Sequence, residues 1–355
     1  MNHKNRPESP ESPARPQAPP TASTGRDDQS PTRATPRRLS ELIDRIKDSA
    51  DKLASDRATR GDLKILSRTL RELRYAFKVF TPYRAVRKVT VFGSARTAKE
   101  HPSYRQAVDF GRQMAARDWL VITGAASGIM EAGHEGAGRD RSMGLNILLP
   151  FEQEANPIIA GDSKLVHMKY FFTRKLMFVK ETHGICLLPG GFGTLDEGLE
   201  VLTLLQTGKR DPAPVVLLDA PGGTYWRGFD RFVREELLAG GMIDPHDLSL
   251  YRITDRVDEA VDEMAGFYAV YHSMRYVHEH LVMRLLSPPP PELLDRIQRE
   301  FADIVANGSF QVAGPLPEEK DEPDLADLPR LIFSFDRRNC GRLRELIDLL
   351  NGRRQ

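Results

Sequence analysis

The sequence predicts an α/β fold built on a doubly wound parallel sheet, and three observations carry that prediction. Short β-rich runs alternate with helical patterns between about Arg87 and Tyr271. The runs are almost continuously apolar, as strands covered on both faces must be. Three of them end in glycine-bearing turns, the place where sheets of this kind hold ligands.

The chain has 355 residues, which sets a prior of two to three domains at roughly 150 residues each and is ample for a sizeable core. Residues 1–38 hold eight of the 25 prolines and no aromatic residue, so they read as a disordered, solubilising tail that cannot offset the entropy of ordering. From Leu39 the apolar residues Leu42, Ile43, Ile46, Ala50 and Leu53 recur at helical spacing, with Ser40 as the expected N-cap. A second helix is expected after Gly61, with Leu63, Leu66, Leu70, Leu73, Phe77 and Phe80 on one face and Pro82 at its stop.

The strands follow as Val89–Phe92, Leu120–Ile122, Leu145–Leu149, Ile185–Leu188 and Val215–Leu218, with Tyr104–Arg117 and Leu199–Thr207 as crossover helices. A helical segment is expected before the Pro288–Pro291 run. Beyond it come an amphipathic stretch (Leu293–Val305), an acidic loop (Pro315–Pro329), a strand (Leu331–Phe335) and a last helix (Leu343–Leu350). These last 65 or so residues are few for an independent domain and are expected to dock on the sheet. The expected organisation is a tail at 1–38, a helical extension at 39–85, a Rossmann-like domain at 86–275 and a small α+β C-terminal segment at 276–355.

Charge and composition narrow the function. Lysine plus arginine total 51 and aspartate plus glutamate 50, a formal charge of +1, so the excess positive field that drives general nucleic-acid binding is missing. No apolar run nears the roughly 18 residues of a membrane span, and Cys186 and Cys340 form neither a disulfide framework nor a metal pair. A cytoplasmic chain with no nucleic-acid or membrane partner is expected. His278 and His280 are the only close histidine pair and lie on opposite faces of the expected helix, so no metal is expected.

The turns are Phe92–Arg96, Thr123–Gly128 and Pro189–Thr194. Backbone N–H groups and helix N-termini at such turns suit one phosphate-bearing ligand. None is a P-loop or a Gly-x-Gly-x-x-Gly dinucleotide fingerprint, which disfavours ATP hydrolysis and dinucleotide redox chemistry. Ser94, Gly124 and Gly128 are the candidate ligand contacts of the first two turns. In the third, Thr194 with Glu197 fits a Thr-x-x-Glu capping box as well as a ligand site, and both readings stand at this level. Phe171, Met168 and Met177 suit either a base pocket or the core.

The string Pro189-Gly190-Gly191-Phe192-Gly193-Thr194-Leu195-Asp196-Glu197, preceded by Phe172-Thr173-Arg174-Lys175, resembles the signature of the LONELY GUY (LOG) family, once widely labelled lysine decarboxylases. The resemblance covers about residues 86–275 and includes Gly124 through Ala132, where family members commonly carry further glycines and this chain has Ala125 and Ala126. It implies a phosphoribohydrolase that cleaves a nucleoside 5'-monophosphate, of the AMP or cytokinin ribotide type, to free base and ribose 5-phosphate. By the same resemblance Arg174 and Glu197 match the catalytic pair, and Gly190, Gly191, Gly193 and Thr194 the phosphate loop. No cofactor is implied, and a homodimer or higher homo-oligomer is. The alternative is a nucleotide-binding or phosphorylated-cofactor carrier protein of related fold that does not turn its ligand over. The decarboxylase label has no support, because no turn reads as a cofactor-lysine site.

Overall fold

The computed structural model describes residues 37–148 and 154–353. The expected tail therefore lies almost wholly outside the described residues, as does Leu149 at the end of the third expected strand. The chain divides into two compact units, 1–63 and 64–355.

In the first unit, helix α1 (Arg37–Ser55) carries salt bridges from Lys47 to Asp44 and from Lys52 to Asp48. Ser40 stands inside its first turn rather than at its N-cap, because the helix begins three residues earlier. Helix α2 (Arg60–Phe80) starts one residue before Gly61. Thr59 and Asp62 exchange side-chain and backbone hydrogen bonds of 2.9 and 3.2 Å, which pins that start as a capping box does.

The second unit continues α2 from Lys64 and contains β1 (Lys88–Phe92), α3 (Pro102–Ala115), β2 (Leu120–Thr123), α4 (Ile129–Ala137), β3 (Ser142–Ile147), β4 (Leu165–Met168), α5 (Phe171–Glu181), β5 (Gly184–Leu187), α6 (Phe192–Gln206), β6 (Val215–Leu218), α7 (Tyr225–Phe232), β7 (Arg252–Thr254) and α8 (Val257–Gly266). Seven parallel strands form one sheet in the order β4-β3-β2-β1-β5-β6-β7. This is the doubly wound α/β architecture that the alternation predicts. Strand residues alternate between two cores. Val89, Val91, Val121, Cys186 and Val216 pack with Phe110, Met114, Ile129 and Val261. Phe92, Ile122, Leu145, Leu187 and Leu217 pack with Phe80, Met177, Phe178 and Trp226 on the other face. Cys186 is a core residue, as its place in an apolar strand implies.

The order of the strands locates the site. β2, β3 and β4 extend from β1 in one direction, then the chain crosses back and β5 pairs with β1 on its other side. Between β1 and β5 the connections diverge, and a crevice opens beyond their carboxyl ends.

A second, antiparallel sheet follows, made of β8 (Tyr271–Val277), β9 (His280–Leu285), β10 (Val305–Ala313) and β11 (Arg330–Phe335) in the order β10-β11-β9-β8, with α9 (Pro291–Glu300) and α10 (Cys340–Leu350). The helical segment expected before Pro288 is instead the β8–β9 hairpin, with His278 at its turn with φ 54°. Leu281–Leu285 is buried throughout, and periodicity does not separate a buried strand from a buried helix. Strand β8 begins at Tyr271, ahead of the 275/276 boundary expected from sequence. The C-terminal segment does dock: Arg344 pairs with Glu263 of α8, and His246 Nδ1 lies 2.8 Å from Glu345.

Candidate active site

A cavity of about 490 Å3 opens at the β1/β5 switch point. It is lined by the β1 turn, Met130 of α4, Phe171 and Arg174 of α5, and Gly191, Gly193, Thr194 and Glu197 at the start of α6. The first and third turns thus line one cavity, while the second turn contributes none of the described lining residues and is followed by Met130, which does line it.

The turns are tied to each other by backbone. Ser94 N donates to Pro189 O at 3.2 Å, and Ile129 N donates to Ser94 O at 3.0 Å. Ser94 Oγ accepts from Arg96 N at 3.1 Å, the local turn bond expected of a serine there. Gly128 has φ +64°, and a Cβ on it would run into the Ser94–Ala95 backbone, so glycine is required at this junction. Gly190 sits against Thr194 and accepts from Tyr225 Oη at 2.7 Å.

Arg174 emerges from the first turn of α5. Its Nε donates to the Leu145 carbonyl at 2.9 Å, and its guanidinium lies 5.2 Å from the centre of the Phe178 ring. Gly124 makes room for it, since a Cβ at that position would collide with the guanidinium and with Met130 Sδ. Gly124 therefore acts through Arg174, while neither it nor Gly128 is among the described residues that line the cavity. Burial lowers the Arg174 pKa and the nearby Glu197 raises it. Among the described residues no carboxylate comes within salt-bridge distance of Arg174, which removes the surface ion pair as its purpose.

Glu197 is only 8% exposed. Burial pushes its carboxyl up to about 7, against the charges of Lys175 and Arg174. Helix α6 begins at Phe192 with Gly191 as N-cap and no side-chain cap bond, so Thr194 and Glu197 do not form the capping box that their spacing allows. The helix starts two residues before Thr194, which puts Glu197 in the second turn, beside the cavity. Lys175, one residue past Arg174, points elsewhere as helix geometry requires. It reaches Asp196 at 2.8 Å and Glu200 at 2.5 Å and so clamps α5 to α6. Met168 and Met177 are fully buried core residues, and Phe171 alone of that trio reaches the cavity.

Ala125 has φ 60°, a conformation that disfavours any side chain. Its methyl is buried with Ile159 and Leu165, and neither it nor Ala126 is among the described residues lining the cavity. A buried network holds their turn: Asn156 Nδ2 donates to Ala126 O at 3.1 Å, Ala125 N donates to Thr123 Oγ1 at 2.9 Å, and His134 Nε2 donates to Met143 O at 3.0 Å. Burial holds His134 down to about 4, so it is neutral at pH 7.

Sequence reasoning missed that network and also missed Glu72. Its carboxylate accepts from Lys169 N and from Thr173 Oγ1, each at 2.9 Å, and so fixes the entry to the helix that carries Arg174. Hydrogen bonds from Arg68, Lys169 and Thr173 outweigh burial and hold its pKa below the ordinary 4.5. The stabilisation it gives is thus present above pH 4.5 and is lost as pH falls through the lowered folded value. Glu72→Ala is expected to cost about 1–3 kcal/mol in chemical denaturation at pH 7, with a smaller difference from the parent at pH 3.

The family model described as "Possible lysine decarboxylase" matches residues 123–264. The cytokinin riboside 5'-monophosphate phosphoribohydrolase LOG3 of Arabidopsis thaliana is 30% identical over 164 residues, which span 45% of this chain and 73% of that protein. A pyrimidine/purine nucleotide 5'-monophosphate nucleosidase of Escherichia coli is 30% identical over 143 residues, 37% of this chain and 31% of that one. Among solved structures, the molybdenum cofactor carrier protein MCP from Chlamydomonas reinhardtii is similar at 22% identity and a TM-score of 0.35, over 50% of this chain and 94% of that one. The matched region contains Gly124, Arg174 and the whole glycine turn through Glu197, and the Arabidopsis relative is matched over nearly three quarters of its length. The chain belongs to the LONELY GUY (LOG) family.

Proposed function

We propose that this chain is a phosphoribohydrolase that uses water to cleave the N-glycosidic bond of a nucleoside 5'-monophosphate, releasing the base and ribose 5-phosphate. The observation that carries the reading is the half-buried Arg174 and the buried Glu197, facing one cavity whose rim is the N-terminus of α6. Gly191 and Gly193 supply N–H groups at the start of α6, which have no acceptor within the helix and suit a phosphate; Thr194 N donates to Gly191 O at 3.0 Å, so Thr194 offers its hydroxyl. Arg174 spans phosphate or ribose oxygens with a planar fork and sets the anomeric carbon beside Glu197. Breaking the bond builds positive charge on the ribose ring. The ionised Glu197 stabilises that charge and takes a proton from the attacking water. Ser94 lines the cavity near the phosphate, while Gly124 and Gly128 shape it from behind. The parallel sheet from residue 86 is the catalytic unit in this reading, and the antiparallel sheet with α9 and α10 is an accessory.

The test compares AMP with adenosine, assaying ribose 5-phosphate or ribose release. The monophosphate is expected to be the far better substrate, and Thr194→Val is expected to narrow the gap. Equal cleavage of the two would remove the phosphate-site argument.

A homodimer is part of the same proposal. Phe192 is 93% exposed, and Phe171, Phe172, Leu176 and Leu199 are exposed on α5 and α6, the two helices that Lys175 clamps together. Apolar surface of this kind on neighbouring helices suits an isologous contact beside the site. Light scattering is expected to find a species of twice 40.0 kDa, and Leu199→Asp to shift it toward the single chain. A lone 40.0 kDa species in the parent protein defeats the proposal. No described helix is long and apolar enough to cross a membrane, and the two cysteines are free, which supports the cytoplasm as the compartment.

A further inference from the structure

The largest cavity among the described pockets, about 1150 Å3, lies at the amino ends of β1, β5 and β6, the edge of the sheet opposite Arg174 and Glu197. Five cations line it: Arg84, Arg87, Lys180, Lys209 and Arg210. Four carboxylates share the lining, Asp211 beside Arg210 and Asp324 among them, and the other two are drawn to arginines outside it. Arg275 and Arg284 take Glu322, and Arg275 also reaches Asp321 at 3.6 Å. Among the described residues no carboxylate lies within salt-bridge distance of Arg84, Arg87, Lys209 or Arg210. Arg87 instead rests 3.6 Å over the Tyr268 ring, and Arg210 donates to the carbonyls of Val179 at 2.8 Å and Thr182 at 2.7 Å. The excess of positive charge is felt by its neighbours. Burial, then Lys88, Arg87 and Arg210, hold His183 down to about 3, and His272 is lowered by burial and by Arg87 and Arg284.

Arg87 and Arg210 are half-buried with no carboxylate within salt-bridge distance, which is costly, and a phosphate group offers them charge-assisted, bidentate hydrogen bonds. Tyr268 and Tyr271 add aromatic surface, and the volume exceeds what an inorganic ion needs. We propose that this cleft is a second binding site, separate from the Arg174–Glu197 cavity, and that it takes a phosphorylated organic molecule through Arg87, Lys209 and Arg210. The inference stands apart from the hydrolase reading, because no residue is shared between the two cavities.

Pyrophosphate is the probe, and because it also suits the other cavity, the readout is its location. Full-length protein is acetylated with and without millimolar pyrophosphate, and each lysine is followed by mass spectrometry. Lys180 and Lys209 are expected to be protected severalfold, and the distant Lys64 not at all. Arg87→Gln is expected to raise the pyrophosphate concentration needed for that protection about tenfold, the scale of one charge-assisted hydrogen bond. Lys209 is exposed, so Lys209→Gln leaves the fold intact and supplies the same test on Lys180 should the half-buried Arg87 variant fail to fold. Unprotected Lys180 and Lys209, or protection that neither variant weakens, would overturn the proposal.

Discussion

Glu197→Gln is expected to lower turnover by about a hundredfold or more, the scale of removing one preorganised electrostatic stabiliser, while nucleotide binding is retained. The same variant is expected to be more stable than the parent above pH 7. The folded carboxyl, at about 7, stands above its ordinary 4.5, so the folded state binds the proton more tightly than the unfolded chain does. Stability therefore falls as pH rises from 4.5 to 7, by on the order of 3 kcal/mol, and glutamine escapes that loss. Turnover of the parent is expected to rise with pH through about 7, as the carboxylate form that does the work becomes populated. Single-turnover assays and thermal melts at pH 5 and pH 8 check all three. A variant that melts lower at pH 8 and turns over normally assigns Glu197 to structure alone.

Arg174→Lys is expected to reduce kcat/KM for AMP by about ten- to a hundredfold, the cost of losing charge-assisted hydrogen bonds of fixed direction. The charge survives the substitution and the planar fork does not. The Nε bond to the Leu145 carbonyl, which sets the side chain's direction, goes with it. The effect is expected to fall more on AMP than on adenosine, because the phosphate and ribose oxygens are the proposed partners. Steady-state kinetics on both substrates read the difference, and an equal loss on each argues against phosphate contact.

The elements that were legible in the sequence are those whose signals are local. The central strands were visible because Val89–Phe92, Ile185–Leu188 and Val215–Leu218 are apolar runs ended by turns, and the ligand edge followed from the glycines after them. Strands β4, β7, β8, β9 and β10 were not. β7 has three residues, and β10 is an exposed edge with Asn307, Gly308 and Gln311 in it, so neither carries an apolar run. In the site, the glycine turn and its flanking Arg174 stand in one readable string. Glu72, Asn156 and His134 do not, because each acts through contacts with distant or unpatterned segments. Glu72 meets Thr173 across 101 positions of chain, and no spacing rule reaches that far.

Helix α5 is secured at both of its ends, by the Glu72 carboxylate at its entry and by the Arg210 guanidinium on the carbonyls of Val179 and Thr182 at its exit. Helix ends ordinarily fray, and short helices are drawn from the least protected parts of a fold. Here neither end of the eleven-residue α5 unwinds without breaking a side-chain tie to another element. Its amides are thus expected to exchange with solvent only in a cooperative opening that also disturbs the core around Met177 and Phe178. Arg174 is carried on a rod rather than a hinge, and whatever rearranges it displaces the whole helix.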